Sequence, residues 1–247
     1  MASVAIRSIS KKYLTEGKSL LALDRVSFEI GDGEFVCVVG HSGCGKTTLL
    51  NILAGFDPPT DGEILIDGKS HKSSNTSIGV IFQEYALFPW RTALRNVEFG
   101  LEMNGASRKE REDRARHFLE LVHLADFADA YPHQLSGGMK QRVAVARAMA
   151  YDPALLLMDE PFGALDAQTR ERLQALVQEI WQRTGKTIFY VTHNLSEAVY
   201  LAERIVIMTP NPGRVRKIVT VDLPRPRDAL SPEFIELQRE VTAEISH

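Results

Sequence analysis

The sequence predicts an α/β fold built on a mainly parallel sheet, and three observations predict it. Short, wholly apolar runs recur along the chain between stretches of helical pattern, as when helices cover both faces of parallel strands. One such run, Phe35-Val36-Cys37-Val38-Val39, leads directly into the glycine-rich stretch Gly40-His41-Ser42-Gly43-Cys44-Gly45-Lys46-Thr47 and then into a helical pattern over residues 48–54, ended by Gly55. A longer and more charged helical stretch, from about Asn96 to Tyr151, interrupts the strand–helix alternation and reads as an insertion.

In chain order, residues 4–9 and 26–30 read as strands separated by a polar turn around Glu16-Gly17-Lys18. The run Gly62-Glu63-Ile64-Leu65-Ile66-Asp67-Gly68 reads as a strand feeding a turn. Residues 78–82 form another apolar strand, and residues 154–158, 187–191 and 205–208 add three more. A helix is expected over 169–184 between two of these. The mixed charges of Arg108-Lys109-Glu110-Arg111-Glu112-Asp113-Arg114 read as a solvated helix face. After Leu223-Pro224-Arg225-Pro226-Arg227-Asp228, read as an extended linker, a terminal helix is expected over 232–245. The organisation implied is a core with an N-terminal antiparallel β subdomain over 1–90 and 152–222, a helical subdomain over 91–151, and a linker and helix over 223–247.

Composition sets bounds on function. Of the 247 residues, 44% are hydrophobic and 25% charged, enough apolar surface for a sizeable core. The net charge of −3 gives no overall basic field for nucleic acid. The two cysteines, Cys37 and Cys44, share one short stretch without a disulfide spacing pattern, and Cys37 is expected to be buried as a thiol. No uncharged apolar run approaches the roughly 20 residues of a membrane helix, and the N-terminus lacks a signal-peptide layout. A cytoplasmic chain that does not itself cross a membrane is expected.

Residues 40–47 match G-x-x-x-x-G-K-[ST], the phosphate-binding P-loop. The chemistry explains the residue types. The glycines let the backbone curl so that successive N–H groups face one phosphate, and the helix that follows turns its positive end to the same anion. Lys46 brings a point charge to the β/γ-phosphates, the Thr47 hydroxyl can ligate Mg²⁺, and Thr48 continues the helix start. His41 occupies a variable place in this pattern, where backbone rather than imidazole does the binding. A second feature is the apolar run Leu155-Leu156-Leu157-Met158, ending in Asp159-Glu160. An Asp at the end of such a strand holds the Mg²⁺ shell in P-loop enzymes, and Glu160 stands where a base would deprotonate water attacking the γ-phosphate.

The third motif, Leu135-Ser136-Gly137-Gly138-Met139-Lys140-Gln141-Arg142, resembles the L-S-G-G-Q signature of the ABC transporter ATPases. It too is an anion cradle, a hydroxyl and glycine N–H groups at the start of a helix over 139–150. A chain needs one phosphate cradle per nucleotide, so the second makes sense closing over the nucleotide of another copy in a head-to-tail dimer. The resemblance covers residues 1 to about 220 and implies a RecA-like P-loop NTPase core. It implies further roles: Gln83 for metal and attacking water, Asp166 of Ala164-Leu165-Asp166 for contact with the partner copy, His193 for the γ-phosphate, and Tyr13 for stacking on adenine. Met139 departs from the signature glutamine, while the phosphate-facing Ser136, Gly137 and Gly138 remain.

The stretches Leu87-Phe88-Pro89-Trp90-Arg91, Glu160-Pro161-Phe162-Gly163-Ala164-Leu165-Asp166, Pro212-Gly213-Arg214-Val215 and Leu223-Pro224-Arg225-Pro226-Arg227 resemble the nitrate/sulfonate/taurine importer group. That implies a bacterial ATP- and Mg²⁺-dependent subunit on the cytoplasmic face of the membrane, with two integral permease subunits and an extracytoplasmic solute-binding protein as partners. Trp90 would sit either in packing at the edge of the helical insertion or in a groove receiving a permease helix. A lipid or lipoprotein exporter ATPase and a soluble non-transport ABC ATPase are the other readings. The latter usually carries a coiled-coil insertion or tandem ATPase domains, and a GTPase would carry an Asn-Lys-x-Asp motif; none of these is in this sequence.

Overall fold

The computed structural model of the chain describes residues 2–15, 18–71, 77–163 and 165–246. In order, its elements are β1 (Val4–Thr15), β2 (Lys18–Ile30), β3 (Phe35–Gly40), α1 (Lys46–Leu53), β4 (Asp61–Ile66), β5 (Lys69–Ser70), β6 (Ile78–Ile81), α2 (Ala93–Met103), α3 (Arg108–Leu121), α4 (Gly137–Ala150), β7 (Leu155–Asp159), α5 (Ala167–Thr184), β8 (Thr187–Val191), α6 (Leu195–Leu201), β9 (Arg204–Thr209), β10 (Arg214–Thr220) and α7 (Pro232–Ser246). Glu16 and Gly17 of the expected turn, and Ala164, lie outside the described residues. The chain divides into two compact units, Met1–Asn75 with Gly185–His247, and Thr76–Thr184.

The first unit holds an antiparallel sheet of order β2-β1-β4-β5. It also holds the strands β10-β9-β3-β8, in which β3 runs parallel to both β8 and β9 and β10 is antiparallel to β9. Every residue of β3 and β8 is buried. That is why their sequences are continuous apolar runs: a strand covered on both faces has no wet side to alternate towards. Cys37 is fully buried, as expected, and burial pushes its thiol well above the usual range. Cys37 and Cys44 are both free thiols. The last helix, α7, packs on α6, β9 and β10 through Phe234 and Val241, two turns apart on one face and fully buried.

The second unit pairs β6 and β7 in parallel, Ile78 opposite Leu155, and carries α2 to α5. Helix α4 is its centre, packing on α2, α3, α5 and β6 and burying Val143, Ala144, Val145 and Ala146.

Several features differ from the sequence reading: β1 and β2 are much longer than the expected 4–9 and 26–30, and β5 was not expected. Strand β10 was not expected, because a bulge between Val215 and Lys217 and a lysine at a half-buried position break its apolar alternation. Residues 223–228 have no regular structure, but they are not a free linker. Arg227 is 7% exposed and donates to the carbonyls of Val199, Tyr200 and Ala202, while Arg225 donates to those of Tyr200 and Leu201. Two guanidinium groups thus satisfy the carbonyls left open at the end of α6. Burial, with the neighbouring Arg225 guanidinium, lowers the Arg227 pKa to about 10.

Candidate functional site

In the first unit, β3 delivers the chain into the glycine-rich loop and α1 leaves it. Gly45, the residue before α1, has φ 89°, and a Cβ there would stand 2.5 Å from Leu23 Cδ2. Both the left-handed backbone and the close packing require glycine. Lys46 is 7% exposed, and its Nζ lies inside the loop, donating to the carbonyls of Gly40 at 2.9 Å and His41 at 3.3 Å. Among the described residues this ammonium has no ion-pair partner. A buried cation held only by carbonyl dipoles is costly unless an anion arrives to neutralise it. Cys44 lies 3.9 Å from the same Nζ, with its thiol pushed up by burial. Ser42, Gly43 and Thr47 face solvent, and Gly45 and Thr48 are half-buried.

His193 follows β8, next to the loop that follows β3, because these strands are parallel neighbours and Thr192 N–H donates to the Val38 carbonyl at 3.2 Å. Its support is polar. The buried Glu197 carboxylate accepts from Thr192 Oγ1 at 2.7 Å and Tyr190 Oη at 3.1 Å, and Asn194 Oδ1 caps α6. A carboxylate taken out of water is tolerated there because hydroxyls replace its hydration. His193 itself is exposed. Tyr13, on β1, is half-buried and donates through Oη to Asp57 Oδ2 at 2.8 Å. Burial and the Asp57 carboxylate raise its pKa.

In the second unit, Asp159 ends the fully buried β7 and Glu160 follows with φ 42°, a strained backbone for a side chain other than glycine. Gln83, in the loop after β6, comes near it: a Cβ on Gly163 would stand 3.9 Å from Gln83 Nε2 and 4.0 Å from Glu160 Oε2. Ser136 caps α4, its Oγ accepting from Met139 N–H at 3.3 Å. Gly137 and Gly138 form the first turn, where a Cβ would stand 2.9 Å from Tyr85 Oη and 2.5 Å from Thr169 Cγ2 respectively. Asp166 is exposed and caps α5, accepting from Thr169 N–H at 3.0 Å; this N–H and the Thr169 hydroxyl hold its carboxyl below the usual range.

The sequence positions thus form two constellations. Residues 40–48, Tyr13 and His193 belong to the first unit, and Gln83, Ser136, Gly137, Gly138, Asp159, Glu160 and Asp166 to the second. The family model described as ABC transporter matches residues 23–163. The chain belongs to the ABC transporter family. It is 52% identical over 236 residues to an uncharacterized ABC transporter ATP-binding protein of Methanocaldococcus jannaschii, covering 96% of this chain and 88% of that one. It is 45% identical over 235 residues to the nitrate import ATP-binding protein of Synechocystis sp. (95% and 88% covered) and 47% identical over 235 residues to the taurine import ATP-binding protein of Rhizobium johnstonii (92% and 90%). The solved dimer of a bacterial ABC transporter cassette superposes with a TM-score of 0.80 at 36% identity, covering 90% of this chain and all of that one. A dimeric post-hydrolysis cassette bound to ADP and Pi matches equally well, at 37% identity. The chain is therefore an ATP-binding ABC ATPase.

Several residues of this ABC ATPase support the site without showing in a motif. Thr169 links Asp166 to Gly138. Arg147, on α4, donates to the carbonyls of Tyr85 and Ala86, just after Gln83. Glu197 holds the end of β8 to α6. Arg147 reaches carbonyls 61 and 62 residues away and Thr169 lies against Gly138 of another helix, so no local spacing signals those two contacts; Glu197 bonds residues five and seven positions before it, outside any motif.

Proposed function

We propose that this ABC ATPase powers import of a small anion such as nitrate, a sulfonate or taurine, working as a head-to-tail pair with a second copy. It would dock on two integral permease subunits at the cytoplasmic face of the membrane, supplied by an extracytoplasmic solute-binding protein. The nitrate and taurine import names of its relatives support this reading. The observation that carries the nucleotide chemistry is the buried ammonium of Lys46 inside its glycine-rich loop, with no ion-pair partner among the described residues.

In this reading the N–H groups of residues 40–48 and Lys46 bind the phosphates, and Tyr13 stacks on the adenine. Thr47, Asp159 and Gln83 would hold Mg²⁺, which supplies charge neutralisation at the β- and γ-phosphates. Glu160 takes a proton from the attacking water, oriented by Gln83, and His193 donates to the γ-phosphate. Ser136, Gly137 and Gly138 of the second copy close on the same phosphate, and Asp166 meets the partner, so that closure excludes water.

Glu160→Gln keeps shape and removes the base. Turnover of the purified chain should fall by about 10²-fold or more, with ATP binding kept and an ATP-dependent dimer accumulating on size exclusion. Near-normal hydrolysis would remove Glu160 from this role. Trp90 bears on docking: it is 71% exposed, its ring against Phe88 at a centroid distance of 5.7 Å. Such exposure favours an anchor over packing. Trp90→Ala should weaken co-purification with the permease subunits, by about 2 kcal/mol in affinity, while the melting temperature of the isolated chain holds. A large drop in melting temperature with assembly intact would favour packing.

A further inference from the structure

The end of α7 reaches the phosphate loop. His41 Nε2 lies 3.0 Å from the Ile245 carbonyl oxygen, across 204 residues of sequence. A carbonyl only accepts, so Nε2 carries the proton and donates. The Ile245 carbonyl is one of those that the last turn of a helix leaves without a partner. The contact is held in place from outside the loop. Phe234 and Val241 bury the inner face of α7, Arg216 Nε pairs with Glu244 at 3.2 Å, and Lys217 Nζ pairs with Glu240 and Glu244 at 3.0 Å each.

His41 is also a junction within the loop. Its own carbonyl accepts from Cys44 N–H at 3.2 Å and from Lys46 Nζ at 3.3 Å. The imidazole bound to α7 and the carbonyl bound to the phosphate-seeking lysine therefore belong to one residue. The electrostatics have a definite sign. The C-terminus of a helix carries partial negative charge, and here it lies against a loop whose task is to hold a polyanion. Phosphate arriving in the loop is repelled by that end and draws Lys46 away from the His41 carbonyl.

We propose that the last turn of α7 is a brake on the phosphate loop, docked on His41 without nucleotide and loosened when nucleotide binds. The inference rests on the reading of residues 40–48 as the ATP site. It assigns His41 a positioning role through α7.

The test compares the full chain with a chain ending at Ala243, which loses Ile245 but keeps Phe234 and Val241. Binding of Mg·ATPγS is measured by calorimetry after each chain is shown to melt cooperatively. The shortened chain should bind about fivefold more tightly, the upper scale of one helix-end charge interaction. In the full chain, hydrogen exchange of residues 242–246 should speed up on adding Mg·ATPγS. Equal or weaker binding by a folded shortened chain overturns the brake and leaves the ATP site standing. Unchanged exchange in the full chain also overturns it, and this measurement decides if the shortened chain fails to fold. If neither chain binds Mg·ATPγS, the assignment of the ATP site falls and the brake with it.

Discussion

The loop before α1 and the loop before α4 both set glycines at the positive end of a helix, yet glycine serves a different purpose in each. At Gly45 the backbone itself is left-handed, so any side chain is strained before it meets a neighbour. At Gly138 the backbone is helical and would accept alanine; the obstacle is Thr169 Cγ2, 2.5 Å from where a Cβ would stand. The first loop also encloses a charge, Lys46, whereas Ser136 is exposed and its hydroxyl is already engaged in capping α4. The comparison teaches that one cradle is built by its own backbone and carries its own cation. The other is shaped by a side chain from a neighbouring helix and leaves its face open.

The largest expected effect attacks the charge that only the first loop has. Lys46→Ala should lower turnover by about 10²- to 10³-fold, the scale of losing one preorganised electrostatic contact, read in a steady-state phosphate-release assay. Wild-type rates would erase the distinction between the loops. Next comes Gly45→Ala, which combines left-handed strain with overpacking against Leu23. A loss of about 3 kcal/mol in stability is expected from denaturant melts, with nucleotide affinity falling alongside. The smallest effect belongs to Gly138→Ala, about 1 kcal/mol, since only one methyl must give way. Adding Thr169→Ser removes that methyl and keeps the hydroxyl for Asp166, so the double variant should regain most of the lost stability. If the double variant recovers nothing, the obstacle at Gly138 is backbone as well and the contrast with Gly45 collapses.

The same contrast governs what could be read in advance. The strand–loop–helix at residues 35–54 was legible because each of its demands is local: burial on both faces, tight turns, a cation at a fixed offset. Asp159 and Glu160 were legible for the same reason, as an apolar strand ending in two carboxylates. A hydroxyl at the start of a helix, as at Ser136, suits an N-cap as well as an anion cradle, and in the structure it caps α4. The polar partners were not legible. Arg147 is an ordinary residue for the face of α4, and nothing near it in sequence marks its contact with the carbonyls of Tyr85 and Ala86; Thr169 and Glu197 bond residues three to seven positions away, yet nothing local marks Thr169 as the neighbour of Gly138.

By itself, then, the sequence determined the α/β class, the buried parallel strands, the phosphate loop and the order of the chemical groups, because backbone conformation and strand burial are imposed residue by residue. Only the tertiary structure decided that Arg225 and Arg227 close the end of α6, that Lys217 in the bulged β10 holds α7, and that α7 ends on His41. Those contacts join parts of the chain 24 to 204 residues apart. A hydrogen bond depends on angstroms of separation in space, and the packing that sets that separation is a property of the folded whole.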